Sequence, residues 1–178
     1  NVLEVTLQVG DETLHLFGNH WKSRAGEGDG EELRFQTARM VRARAEAILS
    51  REPSARIVLA GDFNTEAQPA PPPPGPAGRS EPPLALGWVG ETIPVTTDRA
   101  DCVGEVFRFY SPWAADGAGG SYLYQGRWER IDGFLLSPAL LYGGGPRFYR
   151  FFVHPWEALR TAEGEPRRWI SDLESGFS

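Results

Sequence analysis

Two apolar strands flank a single amphipathic helix, and this succession restricts the fold more than any other feature of the chain. "TLHLFGNH" (13–20) reads as a buried strand returning from a hairpin, and "RIVLA" (56–60) as a short continuous apolar strand bounded by Arg56 and Gly61. Between them, from Glu31 to Arg51, Ala38, Val41, Ala45, Ile48 and Leu49 recur at helical spacing, with Arg39, Arg42, Arg44 and Glu46 turned outward. Acids at the helix start suit its dipole, and Pro53 stops it. A helix with one apolar stripe, set between strands, has to bury that stripe on a sheet, which gives an α/β class.

The remaining segments fill in that frame. Leu3, Val5, Leu7 and Val9 alternate with Glu4, Thr6 and Gln8 as in a half-exposed strand, and Gly10-Asp11-Glu12 supplies the turn into the second strand. Residues 67–83, "AQPAPPPPGPAGRSEPP", hold eight of the fifteen prolines, so they read as a Pro-rich surface insertion, with a domain linker as the rival reading. "AADGAGGS" (114–121) is a second loop; "YLYQGRWERIDGFLLSPALL" is expected to hold two strands and a tight connection, and "RFYRFFVHP" a further strand.

Composition bounds what such a domain does. At 178 residues and 40% apolar content the chain is one globular, soluble domain with a real core. Its single cysteine, Cys102, excludes an intramolecular disulfide, and no run approaches a membrane span. Secreted and cytoplasmic locations both stay open. A formal net charge of −6 argues against a protein that coats nucleic acid by electrostatics alone, yet leaves room for carboxylates that handle a cation and a phosphate.

Four polar clusters interrupt the apolar pattern at strand ends: "GNHWKS" (18–23), "GDFNTE" (61–66), "GRWERID" (126–132) and "ESGFS" (174–178). Working groups of α/β scaffolds sit at such positions. Strand alternation aims Asp62 and Asn64 to one side and Phe63 to the core, although Asp-x-Asn is also an ordinary turn former. His20 is followed by the chain's one lysine, Lys22, and by Ser23, donors suited to an oxyanion. Asp132 stands at the border of a buried strand and needs a partner there, with Arg127 or Arg130 as the plain salt-bridge choices.

In the order "NHWKS", helix, "VLAGDFN", "Y.Y.G....ID..LLS", the chain resembles the endonuclease/exonuclease/phosphatase family, the deoxyribonuclease-I-like phosphodiesterases, over nearly its whole length. The resemblance implies a four-layer α/β sandwich of two mostly antiparallel sheets flanked by helices, of which residues 1–178 supply the C-terminal portion. It implies a divalent-metal-dependent phosphodiester hydrolase, nuclease-like, using Mg2+ or Mn2+ on a nucleic-acid substrate. Phospholipid or inositol-phosphate substrates, or a non-catalytic binding domain of the same fold, are the alternatives.

The family's roles transfer residue by residue. Asp62 positions or deprotonates the attacking water, Asn64 bonds a phosphate oxygen and holds Asp62, and His20 donates to the non-bridging oxygens. Asp132 orients an imidazole. Asn19, Lys22, Ser23, Tyr124 and Arg127 are assigned to substrate binding, and Asp62 and Asn64 to weak metal contacts. The family's principal magnesium-binding Glu and the His paired with Asp132 have no counterpart here, so the chain alone is expected to be inactive.

Overall fold

The computed structural model describes residues 1–24, 30–65, 93–104, 106–113, 120–124, 126–154 and 161–162. The insertion at 67–83, the loop at 114–119 and the segment 174–178 lie outside the described residues.

Strand β1 (Val2–Val9) and strand β2 (Glu12–His20) form an antiparallel hairpin, closed by Gly10 at φ 63, where a side chain is disfavoured. Helix α1 (Gly30–Leu49) then crosses to β3 (Arg56–Asp62), which lies parallel to β2. Short strands β4 (Val95–Thr96) and β5 (Phe109–Tyr110) follow, separated by a 3₁₀ turn at Arg99–Cys102. A two-stranded ribbon of β6 (Tyr122–Tyr124) and β7 (Arg127–Glu129) precedes β8 (Asp132–Leu136) and the short helix α2 (Ala139–Tyr142).

The main sheet has the order β1-β2-β3-β8-β5-β4, and β6-β7 forms the second, smaller sheet. Four of the six pairings are antiparallel, so the fold is mixed α/β with mostly antiparallel sheets. The segment expected to carry two strands therefore carries three, because "YLY" is folded back on "RWE" before β8 begins. Residues 147–154 are not a strand. Their aromatic rings dock on others, Phe148 on Tyr110 and Phe151 on Trp113, in place of ladder pairing.

One core fills the space between α1 and the sheet. Ala38, Val41, Ala45 and Ile48 of the helix meet Phe17, Ile57, Leu59 and Leu135, all fully or almost fully buried. Each of the larger side chains among them contributes roughly 1.5–3 kcal/mol by leaving water, and each alanine methyl less. At the helix start, buried Arg34 donates to the backbone oxygen of Lys22 at 2.9 Å, tying α1 to the loop after β2.

The opposite face of the sheet is covered in part by Leu140, Leu141, Tyr110 and Phe148, which pack with Leu14, Val58 and Leu136. The apolar row of β1 falls on that face too, and Leu3, Leu7 and Val9 stay exposed. Helix α1 instead meets the polar row, where Arg44 clasps Glu4 through two hydrogen bonds of 2.6 and 2.8 Å.

Candidate active site

The site is a product of strand register. His20 is the Cα partner of Asp62 across the parallel β2–β3 pair, and Asp62 is the partner of Asp132 across the antiparallel β3–β8 pair. Register partners project to the same face, so three residues from distant parts of the sequence stand abreast. They share a cleft of about 540 Å³ that Asn64, Ser23 and Tyr124 also line, a volume within the range of ligand sites.

Close approach of backbone to backbone makes the row possible. Gly61 sits at φ 129, and a Cβ there would lie 2.0 Å from the carbonyl oxygen of Asn19, so glycine is required between Ala60 and Asp62. After β3 the chain turns sharply: Asn64 adopts φ 49, and its N–H donates to Oδ1 of Asp62 at 2.7 Å. The Asn64 amide nitrogen also donates to the backbone oxygen of Trp21 at 3.1 Å, which locks the loops after β2 and β3 together. Phe63 is buried against Trp21 edge to face. Asp62 and Asn64 are thus brought together by an Asx turn, not by strand alternation; the turn-forming and the cleft-lining readings hold at once.

Asp132 meets neither arginine in the expected way. Ser121 hydrogen-bonds its carboxylate and accepts from its N–H at 3.1 Å, while Arg130 lies over the Trp113 ring. Loss of water in the cleft wall raises the Asp132 carboxyl above the ordinary range; Ser121 opposes this, the Asp62 charge adds to it and His20 opposes it.

Alternation also separates residues expected to act together. Asn19, one position before His20, turns to the α1 side, where it is buried; its amide nitrogen donates to the oxygens of Phe17 and Ala60, and its Oδ1 accepts from Trp21 Nε1 at 2.9 Å. In the structure these bonds make it a bracket between β2, β3 and Trp21. Lys22 and Arg127 do not line the cleft, whereas Ser23 and Tyr124 do. Ser137 of the "LLS" motif is structural as well, accepting from the N–H of Ile57 and donating to the oxygen of Ala55, both at 2.8 Å.

Four cleft residues lie outside the candidates drawn from sequence: Arg24, Tyr122, Glu129 and Ile131. Arg24 and the buried Glu129 form a two-pronged ion pair across the cleft wall. The one signal for Glu129 is an acid set directly between Trp128 and Arg130 in "RWERI".

Residues 1–72 match the model of the Endonuclease/Exonuclease/phosphatase family. The match covers less than half of the chain and marks a likeness to that family over those residues. The matched span contains His20, Asp62 and Asn64 and stops short of Asp132. No curated protein matches the chain. Among solved structures, truncated Caenorhabditis elegans TDP2 is similar at 14% identity and a TM-score of 0.48, with 78% of this chain and 47% of that chain covered. A β-hairpin deletion mutant of Staphylococcus aureus beta toxin is similar at 14% identity and a TM-score of 0.49, over 95% of this chain and 51% of that one. The chain therefore spans about half the length of each of these two structures.

Among the described residues no three His, Cys, Asp or Glu side chains converge as a metal-holding group. Asp62 spends one oxygen on Asn64, and magnesium needs near-octahedral oxygen ligation. The described residues on their own do not make up such a site.

Proposed function

We propose that the protein is a nuclease-like phosphodiester hydrolase in which water attacks phosphorus in line, and that His20, Asp62 and Asp132 form the protein's working face. The single observation behind this reading is the row itself: three strands deliver an imidazole and two carboxylates, side by side, into one cleft.

The chemistry follows from what each group has left to give. Asp62 keeps its second oxygen for the attacking water, because the Asn64 N–H fixes the first. A water held this way loses its proton toward the carboxylate as it approaches phosphorus. His20, exposed at the end of β2, can donate to a non-bridging phosphate oxygen as negative charge develops. Asp132, held by Ser121, is a carboxyl that shares a proton more readily than an ordinary one, and that suits a group orienting a proton donor. Dependence on Mg2+ or Mn2+ belongs to the proposal as a property to be measured.

The test is hydrolysis of bis(p-nitrophenyl) phosphate and of a short oligonucleotide by the protein that carries this chain, with added Mg2+ or Mn2+ and with chelator. Asp62→Ala is expected to lower turnover by about a hundredfold or more while the melting curve stays close to wild type. Turnover within about threefold of wild type, with folding intact, overturns the role of Asp62.

A further inference from the structure

Beside the acid and imidazole row stands a face that hydrolysis alone does not require. On the β6–β7 ribbon Tyr122 pairs with Glu129 and Tyr124 with Arg127, so the two tyrosines, Glu129 and Arg127 share one face of the ribbon, and Trp128 with Leu123 takes the other. Tyr122 and Tyr124 are 45% and 47% exposed, and both line the cleft that holds His20, Asp62 and Asp132. Their rings lie within 15° of parallel, with centroids 6.4 Å apart. The pair is stacked with an offset, and with nearly half of each side chain exposed it presents aromatic surface at the cleft.

The ribbon is held in place against the site. Ser121 at its start donates its N–H to the Glu129 oxygen at 2.9 Å and accepts from the Asp132 N–H, and Glu129 is clamped by Arg24. Two parallel tyrosines on an anchored strand are therefore pre-set at a fixed offset from the reacting groups.

We infer that this tyrosine pair is a base-stacking platform, and that the phosphodiester cut in the cleft belongs to a single-stranded nucleic acid whose unpaired base lies on Tyr122 or Tyr124. The inference rests on the hydrolytic reading above and supplies its substrate class. Only an unpaired base offers its face, because in a duplex both faces are covered by neighbours. A phospholipid headgroup or an inositol phosphate has no aromatic face and would leave the two rings unused. Arg127, opposite Tyr124, is placed to meet a neighbouring phosphate, the pairing of aromatic and cation that single-strand sites use. A chain of net charge −6 also needs such local recognition, since its overall field repels nucleic acid.

The experiment is fluorescence anisotropy with three labelled ten-nucleotide probes of equal charge: a thymidine decamer, the same backbone with every base replaced by a tetrahydrofuran abasic unit, and a GC-clamped hairpin that presents a duplex. Chelator is present to prevent turnover. Each stacking tyrosine is expected to contribute about tenfold in Kd, so the thymidine decamer binds at least about tenfold tighter than the abasic one. Tyr122→Leu/Tyr124→Leu removes that preference, while Tyr→Phe at both positions, which keeps the rings, retains it. Equal binding of thymidine and abasic probes, preference for the duplex, or an unchanged preference in the leucine variant overturns the platform. Competition by sphingomyelin vesicles or inositol hexakisphosphate that outmatches the thymidine decamer also overturns it. The two readings fail separately: cleavage without base preference sinks the platform and leaves hydrolysis standing, whereas tyrosine-dependent binding with no cleavage of any phosphodiester sinks hydrolysis and leaves the platform.

Discussion

The carboxylate of Asp62 accepts a 2.7 Å hydrogen bond from the backbone N–H of Asn64, which itself stands in the left-handed region at φ 49. Asparagine tolerates that region better than most residues, and the turn it makes carries the chain off β3 while leaving Asp62 in the cleft. A structural device and a chemical one are the same two residues.

Replacing Asn64 separates its backbone role from its side-chain role. Asn64→Gly and Asn64→Ala both lose the bond to the Trp21 oxygen, but only alanine has to hold φ 49 against its Cβ. The alanine variant is expected to be less stable than the glycine variant by about 1 kcal/mol, or about 2–4 °C in Tm. Equal melting temperatures would show that the left-handed turn relaxes.

Gly61→Ala should be far more damaging than Gly10→Ala. The new Cβ would meet the Asn19 carbonyl at 2.0 Å, whereas at Gly10 nothing lies within 4 Å. A loss of about 3 kcal/mol or more is expected at Gly61, a Tm drop of roughly 6–12 °C, against about 1 kcal/mol at Gly10. Thermal melts of the two variants side by side decide it.

Asn19→Ala tests the bracket assignment. The change strips Trp21 Nε1 of its buried acceptor, so stability should fall by about 1–3 kcal/mol. Michaelis constants should follow stability and show no selective weakening of substrate binding; a large rise in KM in a normally stable variant would return Asn19 to the substrate.

Asp132 makes stability depend on pH with a definite sign. Its folded carboxyl is raised by desolvation, with the Asp62 charge adding and Ser121 and His20 opposing. Folding therefore favours the protonated form: the contribution is fully present below the ordinary carboxylate pKa of about 3.9 and is lost as pH rises through the higher folded value. Asp132→Asn should raise Tm at pH 7 and leave it little changed near pH 3.5, by calorimetry in chelator. A variant less stable at pH 7 than wild type would show that the Ser121 bond outweighs desolvation.

Much of this fold is written in local pattern. The 3.6-residue spacing of Ala38, Val41, Ala45 and Ile48 and the alternation in β1 depend on near neighbours alone, and both elements form where those patterns run. The site was legible as a set of strand-end polar residues, since His20, Asp62 and Asp132 each end or begin an apolar run. Its wall was not. Arg24 and Glu129 are 105 residues apart, and no local rule couples them until the ribbon folds back. Nor could sequence distinguish Asn19 from His20: both are polar, and the difference lies in which side of one strand each occupies. The strand expected over 147–155 failed for a related reason, because aromatic content favours pairing only where a partner edge is open, and here the rings found other rings.

Strand β1 has a bearing on how the chain behaves in the tube. It is the outermost strand of the main sheet, and Leu3 is 67% exposed beside Leu7 and Val9. Among the described residues no further strand pairs with its outer edge, and such an edge joined to a greasy row is a nucleus for sheet-to-sheet stacking between molecules. Colloidal behaviour will thus be governed by these few side chains and not by the acidic isoelectric point. A lysine at Leu3 and another at Leu7 would convert the same strand from an adhesive border into a repelling one, with the α1-side core left as it is.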